Sequence, residues 1–484
     1  MSQYPRVASF KSVTAFREHL RALKLSIECD DTILSAPDSP LASGLDVDGF
    51  QISNRWVIHP MEGWDAEENG NVSELVRRRW RNFGRSGAKW IWGGEAMAVL
   101  PEARANPRQL VINDKTRDGL ARLHDELLAT HCAEFGTVGD LLVGFQLTHS
   151  GRFSRPTTTG HAPKILYRHP ILDSKFNLPE DHPILSDDEI ARIVDHFISA
   201  ARVAEQCGVK FVDVKHCHGY LGHEFLSAYS RPGPYGGSLE NRTRFLREVV
   251  AGIRATTSLK IAVRLSAFDF VPFCPDPDQQ EGTKLGPGIP EHYESDSYEY
   301  AFGANREDPV HYKLGEAEEF LKVLRGLGIR MVNISAGSPY CNPHIQRPAL
   351  FPPSDGYQPP EDPLVGCARQ INFTAEIKKR FPDLVIVGTA YSYLQDYLPH
   401  VAQWAVRTGR TDAVGLGRMV LAYPTLPSDT LHKGCFESKL LCRTFSDCTT
   451  GPRSGLVSGC YPLDPYYRRR PEAQELKQIK AKFL

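Results

Sequence analysis

The stretch Val212-Asp-Val-Lys-His-Cys-His-Gly-Tyr-Leu221, followed by Tyr235-Gly-Gly-Ser-Leu-Glu-Asn-Arg-Thr-Arg-Phe245, decides how the 484-residue chain reads. Residues 210–214 are a short run apolar on both faces, the pattern of a parallel strand buried between layers. Lys215, His216, His218 and Tyr220 then crowd donors and titratable groups into the C-terminal end of that strand. Just upstream, residues 187–206 predict a helix: Ser186-Asp-Asp-Glu189 reads as a capping box, and Gly208 suits the stop. Its apolar face is Ile190, Ile193, Val194, Phe197 and Ala201. Working outward, seven more short apolar runs lie at 55–59, 89–93, 141–147, 260–265, 330–334, 384–387 and 412–416, with helical patterns between them. Eight strands alternating with helices call for a parallel sheet, doubly wound or closed. The count of eight favours closure into a (β/α)₈ TIM barrel. No G-x-G-x-x-G follows the first strand, so the dinucleotide-binding doubly wound fold loses support.

Composition excludes several classes of protein. Lys+Arg number 57 and Asp+Glu 58, a net charge of −1, so no basic face is offered to nucleic acid or membrane. No run approaches the roughly 18 apolar residues of a membrane helix, and Met1–Arg6 is not the start of a signal peptide. Eleven cysteines, mostly solitary, read as reduced thiols in a cytoplasmic protein. A small-molecule substrate is the expected partner, and a homo-oligomer is compatible with the composition. The organisation expected is a leader over 1–50, a barrel over 51–430 and a cysteine-containing extension over 431–484. An insertion at about 268–312, rich in Pro, Gly, Asp and Tyr, follows the fifth strand, on the face where barrel lids and substrate loops lie. A lid and a passive surface excursion fit it equally.

Strand alternation puts Lys215 and Cys217 on one side and His216 and His218 on the other, unless the chain turns at Gly219. From composition alone this cluster is as well read as a polar rim as a site. The motifs add more. The Gly-Tyr-Leu, Phe-Leu-Ser and Tyr-Gly-Gly-Ser-Leu-Glu-Asn-Arg-x-Arg-Phe elements closely resemble the old yellow enzyme family of NADH:flavin oxidoreductases and its 2,4-dienoyl-CoA reductase branch. Asn54-Arg with His59-Pro-Met61, Gly93-Gly-Glu-Ala96, Gln146-Leu-Thr-His-Ser-Gly-Arg152, Arg264, Ser335-x-Gly337, Gly388 and Gly417-Arg418 resemble the family's other strand-end marks in order.

The resemblance implies a flavin barrel with bound FMN and NAD(P)H as electron donor. It places the phosphate at Gly388, Gly417 and Arg418, where close backbone approach and a forked cation suit an anion. Gln146 and Arg264 fall at the pyrimidine edge, and a fixed positive charge there would stabilise the reduced anionic flavin. Pro60, Met61 and Ala96 supply backbone and apolar contacts. Tyr220 matches the tyrosine that protonates the substrate alkene after hydride transfer. Two residues depart from the pattern. Lys215 replaces the first histidine of a His-x-x-His or His-x-x-Asn pair and only His218 is kept; lysine's compact charge favours an anionic or strongly polarised oxygen unless a protein carboxylate takes it. Glu62 stands where relatives often have Thr or Cys, and a carboxylate beside the flavin opposes its reduction unless it points elsewhere, for instance toward Lys215.

Cys435, Cys442, Cys448 and Cys460 are spaced C-x₆-C-x₅-C-x₁₁-C. The dienoyl-CoA reductase branch holds a 4Fe–4S cluster on C-x₂-C-x₃-C-x₁₁-C, of which only Cys448 and Cys460 keep the spacing, with Thr444 where a ligand is required. Neither a cluster nor zinc is expected, and the second NAD(P)H-handling domain of the longer relatives is not expected either. Three functions follow: reduction of an activated C=C bond, dehydrogenation or demethylation of an amine-type substrate, and a non-catalytic flavin- or partner-binding barrel. Retention of Tyr220 and His218 argues against the third.

Overall fold

The structure is a computed structural model and describes residues 4–482. Eight strands form the barrel: β1 (Trp56–Ile58), β2 (Trp90–Ile91), β3 (Leu142–Thr148), β4 (Phe211–Val214), β5 (Lys260–Ser266), β6 (Met331–Ser335), β7 (Val385–Gly388) and β8 (Ala413–Leu416). Each pairs in parallel with the next, and β8 pairs with β1 at Val414 and Trp56, which closes the ring. All eight lie where the sequence places them. The helix Asp187–Gln206 carries the capping box, Ser186 and Glu189 each satisfying the other's backbone N–H, and buries the face that periodicity marks.

Strand β2 is short because the chain steps out at Gly93 and Gly94, both at positive φ (108° and 55°). A Cβ at Gly93 would lie 2.8 Å from Gln146 N, and one at Gly94 2.7 Å from the Trp80 ring, so glycine is required at both. The chain resumes as Ala96–Ala98, paired with β3 at Gln146–Thr148. This step carries Ala96 to the C-terminal face.

The N-terminal end of the barrel is plugged. A hairpin, Leu45–Val47 with Phe50–Ile52, brings Val47 and Ile52 against Trp90, Leu142, Phe211 and Met331 inside the ring. Each such apolar side chain contributes about 1.5–3 kcal/mol by leaving water. The helix Val13–Ala22 packs on the outside, Phe16 stacking on Tyr397 at 4.1 Å. Function is thereby left to the opposite end. Two long segments reach that end. Residues 268–312 fold as two hairpins, Phe273–Pro275 with Gly288–Pro290 and Ala304–Asn305 with Asp308–Tyr312. The chain beyond 434 forms the helices Asp447–Arg453, Pro465–Arg468 and Pro471–Ala481. No described helix is long and apolar enough to cross a membrane.

Candidate active site

A cavity of about 270 Å³ opens over the C-terminal ends of the strands. Its central group comes from the exit of β4. Lys215 N donates to Leu147 O and His216 N to Arg264 O, so strand pairing continues that far. The backbone then turns left-handed at His218 (φ 67°) and Gly219 (φ 77°). The turn starts one residue before Gly219, so alternation fails at His218. Lys215, His218 and Tyr220 all line the cavity. His216 instead folds back, its Nδ1 2.8 Å from Val214 O and its ring stacked near Phe320, and Cys217 is buried.

Tyr220 is held from three sides. Its hydroxyl donates to Glu62 and lies 2.8 Å from the Tyr340 hydroxyl, and Lys215 Nζ stands 3.6 Å above its ring centroid. Burial first, and the Glu62 charge second, hold the phenol well above its ordinary pKa. Glu62 also accepts from Trp64 Nε1 at 3.2 Å and Asn106 Nδ2 at 3.1 Å. The carboxylate is therefore directed at Tyr220, and among the described residues it makes no ion pair with Lys215. Burial lowers the Lys215 pKa, with Cys217 and Glu62 opposing that shift. His218 Nε2 is 3.2 Å from Gln346 Nε2 and 3.4 Å from Ser335 Oγ, and burial, with Arg264 and Lys215 nearby, keeps the imidazole neutral.

The floor is organised by a residue the sequence reading passed over. Asp213, in the middle of β4, accepts from Gln146 Nε2 at 2.6 Å, Trp92 Nε1 at 2.7 Å and Arg264 N at 2.7 Å. Burial pushes its carboxyl up to about 6 despite these donors. The available signal was a lone charge inside a strand apolar on both faces. Arg264 donates from Nη1 to Pro60 O at 3.2 Å, while its buried Nε has no partner among the described residues. His59 meets Asn333 through Nδ1 at 3.1 Å and leaves Nε2 without a partner among the described residues. Pro60, Met61 and Ala96 line the same wall.

At the end of β8, Gly417 and Arg418 line the cavity. Arg418 donates from Nη2 to Pro348 O at 2.8 Å, and its buried Nη1 has no partner among the described residues. Gly388 does not line the cavity; Thr411 and Tyr391 cover it, and Thr389, Ala390 and Ser392 take its place. Arg347, on an aperiodic loop that gave no sequence signal, joins Arg418. It donates to Thr449 Oγ1 at 2.5 Å, and burial and then the Arg418 charge lower its pKa to about 10. Two half-buried guanidiniums that repel each other suit a phosphate.

The roof is the C-terminal extension. Cys448, Thr449, Pro452, Arg453, Ser458, Gly459, Cys460 and Tyr467 all line the cavity, whereas no described residue of 268–312 does. Of the two readings of the insertion, this arrangement fits the surface excursion: the insertion braces the neighbouring loop, Tyr298 Oη lying 3.0 Å from His169 Nε2. Of the four tail cysteines, Cys435 is exposed, Cys442 and Cys448 are half-buried and Cys460 is buried. Among the described residues no group of three or more His, Cys, Asp or Glu is arranged to hold a metal.

The closed parallel ring, the partnerless Arg264 Nε and the Arg347–Arg418 pair together define a (β/α)₈ barrel with a cationic cavity at its C-terminal face. Residues 41–279 match the NADH:flavin oxidoreductase / NADH oxidase family. An NADPH dehydrogenase of Clostridium acetobutylicum is 33% identical over 228 residues, 45% of this chain and 61% of that protein's length. One of Geobacillus sp. is 27% identical over 396 residues, 81% of this chain and 93% of that protein. The old yellow enzyme homologue of Zymomonas mobilis superposes with a TM-score of 0.54 at 21% identity, over 80% of this chain and 91% of that one. Residues 41–279 thus carry the match to the NADH:flavin oxidoreductase / NADH oxidase family, and the barrel shares the fold of an old yellow enzyme homologue.

Proposed function

We propose that the protein is an FMN-dependent oxidoreductase that uses NAD(P)H to reduce an activated C=C bond of a small organic substrate. The observation that carries this reading is the convergence of Lys215, His218 and Tyr220 with the unpartnered nitrogens of Arg264 and Arg418 in one cavity. Buried polar atoms rarely lack partners unless a ligand supplies them. Arg347, Arg418, Thr389 and Gly417 fit the phosphate of FMN, and Arg264 with Gln146 fits its pyrimidine edge. Bound there, FMN supplies hydride transfer between nicotinamide and substrate.

The chain's own residues do the rest. Lys215 and His218 hold and polarise a substrate oxygen, making the remote alkene carbon electrophilic. Tyr220 gives its hydroxyl proton to the other carbon. The phenolate left behind lies beneath the Lys215 ammonium, and Tyr340, 2.8 Å away, can return a proton.

One contact favours a second reading on the same cofactor. The Tyr220 hydroxyl already donates to Glu62, an arrangement that suits removal of a proton during dehydrogenation or demethylation of an amine-type substrate.

Anaerobic bleaching of yellow holoenzyme by NADPH or NADH, followed by reoxidation with an enone, supports the first reading. Bleaching by an N-methylated amine without nicotinamide supports the second, and protein unable to take up FMN sinks both. Tyr220→Phe should slow alkene turnover by roughly 10²–10⁴-fold while nicotinamide reduction of FMN stays nearly intact. Equal loss of both half-reactions would remove Tyr220 from the donor role.

A further inference from the structure

Glu62 lines the cavity just beyond β1, and the donors that reach it among the described residues are neutral. Trp64 Nε1 and Asn106 Nδ2 donate to Oε1 at 3.2 Å and 3.1 Å, and the Tyr220 hydroxyl donates to Oε2. Arg79, behind Gly63, is already taken by Asp65 at 2.6 Å and Glu95 at 2.5 Å. The groups that face the Glu62–Tyr220 pair are Tyr340 and the Lys215 ammonium, 3.6 Å above the Tyr220 ring.

A phenol carries one proton. That of Tyr220 points at Glu62, so the 2.8 Å contact with Tyr340 is a bond that Tyr340 donates. With Glu62 ionised, Tyr220 has no free hydrogen to offer a substrate. Releasing it would also leave a phenolate against a carboxylate, two anions in hydrogen-bond contact sharing the one Lys215 ammonium. Protonation of Glu62 reverses both points. Its O–H then donates to the Tyr220 oxygen, and the phenol hydrogen is free to turn into the cavity.

On the reading in which Tyr220 protonates a substrate beside a bound flavin, we propose that Glu62 is a positioning residue that gates this donation. Ionised, it holds the Tyr220 proton; protonated, it passes its own proton to the Tyr220 oxygen as the phenol proton leaves. The protons balance: one moves from the Glu62 carboxyl to the Tyr220 oxygen, one from that oxygen to the α-carbon, and solvent in the cavity reprotonates Glu62. The negative charge ends on Glu62 alone, opposite Lys215. Run in reverse, ionised Glu62 draws a proton through Tyr220 from the substrate, so the protonation state of Glu62 favours reduction or dehydrogenation.

The test is the oxidative half-reaction. Holoenzyme reduced anaerobically is mixed with cyclohex-2-enone between pH 6 and 9, and the return of oxidised flavin absorbance is followed. The rate should fall with rising pH along a single-proton limb, by up to about tenfold per pH unit. Glu62→Gln, whose amide donates to the Tyr220 oxygen without charge, should abolish the limb and outpace the unaltered protein at pH 9, by about tenfold. Tyr340→Phe should keep the limb. A flat profile in the unaltered protein, a limb that survives in Glu62→Gln, or a Glu62→Gln rate no faster at pH 9 overturns the proposal. Should Glu62→Gln lose its FMN, the unaltered protein is measured in mixtures of H₂O and D₂O. A curved dependence of rate on deuterium content marks two protons in flight, and a straight line overturns the gate. Holoenzyme that enone reoxidises without these signatures sinks this inference alone. Protein that takes up no FMN, or reduced holoenzyme that no enone reoxidises, sinks the parent reading and this one with it.

Discussion

The insertion at 268–312 and the chain beyond 434 are both irregular, rich in Pro and Tyr, and both lie at the C-terminal face of the barrel. They do opposite things. The insertion builds hairpins that lean on the loop around His169 and contribute nothing to the cavity wall, while the extension crosses the mouth and lines it from Cys448 to Tyr467. The difference lies in what each segment finds to pack against. The insertion leaves β5 beside an aromatic group, Tyr298, Tyr300 and His169, that holds it to the side. The extension reaches Arg78 and Arg79 on the helix Glu74–Gly84, where Arg78 lies 4.4 Å from the Tyr466 ring centroid and pairs with Asp464. Being inserted after a catalytic strand does not make a segment a lid; a lid needs a seat on the far side of the mouth.

Acid should separate the two most strongly. Three imidazoles, His169 and His223 buried and His344 half-buried, seat the insertion: His169 meets Tyr298, His344 lies 4.6 Å from the Phe273 ring, and His223 faces Phe302. Burial lowers His223 and His344 to about 3 and His169 well below its ordinary value. Since the unfolded pKa is about 6.5, their contribution is complete above that pH and is lost as pH falls toward 3, at up to about 1.4 kcal/mol per unit for each ring. Asp269, which burial raises to about 6, works the other way and offsets one of the three. Residues 435–482 contain no histidine. Between pH 7 and 5 the insertion should therefore lose roughly 3 kcal/mol or more, and limited proteolysis should cut it before the extension. Release of the extension first would break the comparison.

Arg418→Met tests the wall itself. Removing one charge-assisted contact to phosphate costs about 1.5–3 kcal/mol, or roughly ten- to hundredfold in FMN affinity, read from flavin fluorescence on dilution. A Cβ at Gly459 would lie 2.2 Å from the Tyr467 ring, which is wedged against Arg78. Gly459→Ala should therefore cost about 1–3 kcal/mol by overpacking and loosen FMN as well. The same change at Gly282 in the insertion meets open space at φ 60°, costs about 1–2 kcal/mol of left-handed strain, and should leave FMN affinity alone. The smallest effect belongs to Tyr298→Phe, which removes the bond to His169 for about 1 kcal/mol of stability with unchanged FMN release. A comparable loss of FMN from Tyr298→Phe would show that the insertion supports the site after all.

The eight strands were legible from their apolar runs, and most cavity residues from the resemblance of the strand-end motifs to the family, because a barrel puts its chemistry at strand ends. Lys215, Tyr220, Gln146, Arg264 and Arg418 stand there and all reach the cavity. His218 reaches it against strand alternation, because the left-handed turn begins at His218 itself. Gly388 shows the limit of the same logic, since the wall beside it is formed one residue later, at Thr389.

What the sequence by itself determined was the ring of strands, the likeness to the flavin oxidoreductase family, and the departures from its motifs at Lys215 and Glu62. Periodicity and strand-end chemistry are local properties that one chain displays without folding. Only the tertiary structure decided that Glu62 grips Tyr220 across 158 residues of chain, that Asp213 anchors Gln146 and the Arg264 backbone, that Arg347 joins Arg418, and that the tail roofs the cavity. Those contacts bring together segments whose spacing carries no period, so their partners are set by packing around the closed ring.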